Sequence, residues 1–172
     1  TLGSGWASNN LLVVSGGLLT NMNTLSVGSL GATGNILRIT QAGVVDVPGL
    51  LRVYSNNWVD FQGGTLNVTN TGVTNALLFT VGDGIQSAVL QGKGLSATLN
   101  FANGLLINSN ATLRTAGMVS GAGTGVILTN GGMLDAGLNG TNLLTIGGSN
   151  LTWYGGGVYR CEITNLSLGH GM

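Results

Sequence analysis

The stretch LRITQAGVVDVPGLLRVYSNNWVDF, residues 37–61, decides the fold. It contains four short segments, Leu37-Arg38-Ile39, Val45-Asp46-Val47, Leu51-Arg52-Val53 and Val59-Asp60-Phe61, each with one charge between two apolar residues. Alternation at period two puts the apolar members on one face of a strand and the charge on the other. The segments are separated by small-residue and asparagine corners, Gln41-Ala42-Gly43 and Asn56-Asn57 among them. Such corners need sharp turns, often with φ above zero, which Gly adopts freely and Asn tolerates.

The same pattern recurs outward in both directions. Val14-Ser15-Gly16-Gly17-Leu18, Gln62-Gly63-Gly64-Thr65-Leu66, Asn130-Gly131-Gly132-Met133-Leu134 and Tyr154-Gly155-Gly156-Gly157 are further corners, and Ser109-Asn110-Ala111-Thr112-Leu113 falls where an intermediate one is expected. Their spacing is a loose period in the low twenties, the length of a coil of two or three short strands. Gly28, Asn35, Asn130 and Asn142 are additional corner candidates, and asparagines at equivalent corners are placed to hydrogen-bond between coils. No stretch offers helical apolar spacing uninterrupted by Gly or Asn, and β-branched residues dominate the apolar runs. The reading is one domain over residues 1–172, all-β, a right-handed parallel β-helix (β-solenoid) of about seven coils and roughly 35 Å in length.

Composition narrows function. The chain has 172 residues, 43% of them hydrophobic but only 6% charged, with 32 glycines. That is ample material for a core and not the signature of disorder. Five basic and five acidic residues cancel, so nucleic acid and anionic lipid are not expected partners. The apolar runs fall far short of the roughly 18 residues of a membrane-spanning helix, so no transmembrane segment is expected. The chain opens at Thr1 without an initiator Met, as a processed chain, a fragment or an internal segment alike would. A single cysteine, Cys161, excludes an intrachain disulfide and a cysteine zinc cluster.

The run from Phe79 to Leu113 (FTVGDGIQSAVLQGKGLSATLNFANGLLINSNATL) and the later Leu151 to Ile163 (LTWYGGGVYRCEI) resemble the autotransporter-associated β-strand repeats of bacterial surface proteins. Together they cover 48 of the 172 residues. The resemblance implies a passenger-like parallel β-helix exported to the cell surface, and it transfers no catalytic residue. Lys93 departs from it by interrupting a usually glycine-rich turn, which puts the local strand register in question.

Four features could carry chemistry. The acids are Asp46, Asp60, Asp83, Asp135 and Glu162; Asp46 and Asp60, expected on neighbouring coils, are the best carboxylate pair, and they read as solubilising charges on outward faces. Gly82-Asp83-Gly84 occurs once, without the repeated Asp that a calcium-binding solenoid requires, and reads as a turn with an Asx-type hydrogen bond. Ser120-Gly121-Ala122-Gly123-Thr124-Gly125 lacks the Gly-Lys-Ser/Thr ending of a phosphate loop and reads as a corner. His170 is the only histidine, but Cys161 alternates in step with Tyr159 and Ile163 and is expected to face the core as a small hydrophobe. No cofactor, metal or catalytic residue is expected.

Trp153, Tyr154 and Tyr159 form the densest aromatic segment. Exposed, they would serve as a ligand or interface surface on which sugar rings stack; buried, they would plug one end of the solenoid. Residues 1–10 carry no side-chain charge and residues 164–172 have only His170 as a titratable side chain, so neither end has the gatekeeper that usually protects a solenoid edge. The expectation is a non-enzymatic structural or adhesive segment, secreted or on a bacterial cell surface, partnered by another copy of itself end to end or by adjacent coils of a longer chain. The alternative is a carbohydrate-binding or polysaccharide-active β-helix, with a glycan as partner.

Overall fold

The computed structural model describes residues 1–20, 23–137 and 143–161. These contain strands and turns and no helix. The chain winds through coils of three strands. The first is β1 (Leu11–Ser15), β2 (Leu18–Thr20) and β3 (Thr24–Val27). In the next two coils a short strand is followed by one long strand that rounds a corner: β4 (Ile36–Thr40) and β5 (Val44–Val53), then β6 (Trp58–Phe61) and β7 (Gly64–Val73). The three-strand form returns with β8 (Phe79–Val81), β9 (Ala88–Gly92) and β10 (Ala97–Phe101), and then β11 (Leu105–Ile107), β12 (Ala111–Arg114) and β13 (Gly117–Gly121). The last strands are β14 (Val126–Leu128), β15 (Met133–Asp135), β16 (Leu144–Gly148), β17 (Leu151–Trp153) and β18 (Val158–Arg160).

Every strand pairs in parallel with its counterpart one coil away. One face is the seven-stranded sheet β1-β4-β6-β8-β11-β14-β17. The other two faces merge into an 11-stranded sheet, because β5 and β7 each belong to both. The fold is therefore a parallel β-solenoid, in agreement with the sequence. Seven strands in the first sheet bound six full turns, slightly fewer than the expected coil count, and at about 4.8 Å per turn these advance the rod by roughly 30 Å. Turn length varies, from Phe61 opposite Val81 to Val81 opposite Ile107. That variation, absorbed in the corners, is why the sequence period is loose.

The core is built from stacks of inward side chains, of which three run the length of the rod. Val14, Ile39, Phe61, Val81, Ile107, Leu128 and Trp153 form the first. Leu19, Val45, Leu66, Leu90, Leu113, Leu134 and Tyr159 form the second. Leu25, Leu51, Thr71, Leu99, Val119 and Ile146 form the third. Most of the aliphatic members are fully buried, each worth about 1.5–3 kcal/mol relative to exposure. Phe79 and Phe101 meet across the interior with ring centroids 4.9 Å apart. Thr71 is the polar exception; its hydroxyl accepts from the Asn100 N–H at 2.7 Å and donates to the Asn100 carbonyl at 3.1 Å.

Corners obey two separate rules. Gly28, Asn56 and Asn110 take positive φ, as do Asn9 and Gln41. Gly64 combines positive φ with close approach, since a Cβ there would collide with the Gly43 carbonyl one coil away. Asn35 and Asn57, also expected as turn residues, are instead fully buried and do not take positive φ. They form a ladder: Asn10 Nδ2 donates to Asn35 Oδ1 at 2.7 Å, and Asn35 Nδ2 to Asn57 Oδ1 at 2.8 Å. Asn142 lies outside the described residues.

Candidate functional site

Alternation places Val53 and Phe61 in the core, as expected, with Arg38, Asp46, Arg52 and Asp60 on the outside. Asp46 and Asp60 do not form a pair. Asp46 stands on β5 in the 11-stranded sheet and Asp60 on β6 in the seven-stranded one. Each has a cation of its own: Lys93 Nζ lies 2.9 Å from Asp46 Oδ1, and Arg38 Nε lies 2.7 Å from Asp60 Oδ2. Lys93 leaves the register intact, its N–H donating to the Val68 carbonyl just past β9.

Asp135 is the most constrained charge. Register stacks Arg114, Asp135 and Arg160 on successive coils. Asp135 Oδ2 accepts from Arg114 Nε at 2.9 Å and Arg160 Nη2 at 2.5 Å, and Oδ1 accepts the Gly137 N–H at 3.0 Å. Its side chain is wholly buried. Burial alone raises its pKa; the bonds from Arg160, Arg114 and Gly137 outweigh burial and hold the carboxyl below its usual value.

Asp83 makes the turn read from the sequence. Its Oδ1 accepts the N–H groups of Ile85 and Gln86, both at 2.8 Å. The Gln86 and then the Ile85 backbone bonds lower its pKa. Gly125 closes the nearby glycine-rich corner by donating to the Ala122 carbonyl, although Ser120 and Gly121 still belong to β13. Among the described residues, no three His, Cys, Asp or Glu side chains gather as a metal site, and no helix is long and apolar enough to cross a membrane. Glu162 and His170 lie outside the described residues.

The aromatic segment divides. Trp153 and Tyr159 continue the interior columns above Leu128 and Leu134, yet each is 46% exposed because this is the last described coil. They meet edge to face, 6.4 Å between centroids with planes at 66°, and so present no flat platform. With Leu134, Leu144, Ile146 and Leu151 they line an apolar recess of about 270 Å³. Tyr154 does not join them: it starts the following turn, where its carbonyl accepts the Gly157 N–H. Cys161 is exposed, contrary to expectation. It keeps the inward parity of Tyr159 but lies beyond the end of β18, on a coil whose inner side is uncovered among the described residues.

The opposite end mirrors this one. Leu2 bridges Val27 in parallel, and Leu12, Val14 and Leu19 line a recess of about 280 Å³ on the first coil. Sequence reasoning passed over Trp58, Asn75 and Leu77, which lie together around the third coil; the Asn-Asn-Trp run at 56–58 was the available signal.

These features define a class, a three-faced parallel β-solenoid most of whose described outward charges are paired between coils. Compared with protein-family models, curated proteins and solved structures, the chain gives no significant match to any.

Proposed function

We propose that the chain is a structural or adhesive segment of a secreted or bacterial cell-surface protein, a rod that lengthens by stacking end to end. The observation that carries this reading is the partial exposure of the last inward residues on two faces at each end of the described solenoid, Trp153 and Tyr159 at one and Leu12 and Leu19 at the other. Backbone groups and apolar side chains at such an end match another coil of the same kind, because each inner coil already makes that contact on both sides. The paired carboxylates support a scaffold as well: Asp46, Asp60 and Asp135 bind the charges of their own fold, and Asp83 its own turn.

Electron microscopy across a concentration series tests the proposal. Rods whose lengths are multiples of roughly 30 Å, with a constant width, are expected. Single particles of one length at every concentration, together with failure of the exported parent to reach the outside of the cell, would overturn it.

A further inference from the structure

A second feature lies on coils away from the Trp153 end. Half-buried Trp58 opens the outer face of the seven-stranded sheet, and Leu77, 59% exposed, stands beside it. Recesses flank the pair. One, of about 450 Å³, runs round the corner past Asn9, Asn56 and Asn75; the other, of about 200 Å³, runs along the sheet past Asp60, Gln62 and Thr80. Trp58, Asn75 and Leu77 line both, so the two adjoin across these side chains as a trough with a ridge.

Its chemistry is specific. No charged side chain lines the larger recess. Among the described residues, no hydrogen bond engages the Asn56 side-chain amide, and Asn75, only 5% exposed, keeps Oδ1 without a donor although its Nδ2 reaches the Asn57 carbonyl at 3.1 Å. An aromatic and an aliphatic surface beside the exposed Asn56 amide suits a ligand with apolar faces and hydroxyl edges. Asp60 and Asp83 at the smaller recess disfavour an anionic chain. A peptide added as a strand needs a free sheet edge, whereas β6 is paired with β4 along its length and with β8 at Phe61.

We propose that this trough binds a neutral polysaccharide chain, with Trp58 and Leu77 covering sugar faces while Asn56 and Asp60 exchange hydrogen bonds with hydroxyls. The site is independent of end-to-end stacking and survives the failure of that reading.

Calorimetric titration with cellohexaose, maltohexaose, xylohexaose and mannohexaose, and with polygalacturonate for comparison, tests it. At least one neutral hexaose is expected to bind with Kd of about 0.1–1 mM, weakened about tenfold or more by Trp58→Ala and severalfold by Leu77→Ala, and unchanged by Trp153→Ala. Leu77→Ala, at an exposed position, decides the matter if Trp58→Ala fails to fold. No saturation by any neutral hexaose at about 10 mM, binding of polygalacturonate alone, or affinity indifferent to Leu77 and Trp58 would overturn the proposal.

Discussion

Asn57 Oδ1 accepts two hydrogen bonds from Asn35 on the preceding coil, from the backbone N–H at 3.0 Å and from Nδ2 at 2.8 Å. Asn57 Nδ2 in turn donates to the Ala32 carbonyl at 2.9 Å. Both asparagines are fully buried, so each bond satisfies a group that water does not reach. Asn57→Ala is expected to lower stability by about 1–3 kcal/mol through the orphaned partners, whereas Asn110→Ala, at an exposed corner with positive φ, costs less. Urea unfolding of the two variants measures the difference, and equal losses would contradict the ladder's role.

The inward register gives a sharper contrast. Val53→Asp buries an unpartnered carboxylate in the core and is expected to cost more than about 4 kcal/mol, or to prevent folding. Arg52→Asp removes only an exposed guanidinium that bonds Tyr54 at 3.2 Å and lies over its ring, at a cost of about 1 kcal/mol or less. Equal melting temperatures would refute the assigned faces.

Much of this was legible because a solenoid with one buried face per strand writes its register directly into period-two alternation. Val45-Asp46-Val47 and Val59-Asp60-Phe61 each show it in three residues. Three things were hidden, for physical reasons. Alternation gives parity and not cover, so Cys161 read as core although it is exposed, with no coil over it among the described residues. Asn serves both left-handed turns and buried ladders, so Asn35 and Asn57 could not be told from Asn56 by residue type. Asp46 and Asp60 are close in sequence, but the corner between them sends them to different sheets.

Acid should act through Asp135. Its folded pKa is depressed, so its contribution is present above the unfolded value near 3.8 and is lost as pH falls through the lower folded value. Stability is therefore expected to fall below about pH 4. Asp135→Asn should cost about 1–3 kcal/mol at neutral pH, moderated because Arg114 and Arg160 are partly exposed, and should flatten this acid limb. Thermal melts from neutral pH to about pH 2 check both, and an unchanged acid limb in the variant would remove Asp135 from the explanation.

The open end is tested most directly by sedimentation velocity on the chain and its Trp153→Asp variant, from about 1 µM to about 1 mM. Trp153 lies on an inward column yet is half exposed, so a carboxylate there should block a second coil while leaving the coils below it folded. The parent chain is expected to form elongated oligomers that grow with concentration and change little with salt, since its net charge is zero, and the variant to remain monomeric. A parent chain that stays monomeric to about 1 mM, or a variant that associates equally well, would contradict end-to-end stacking through this face.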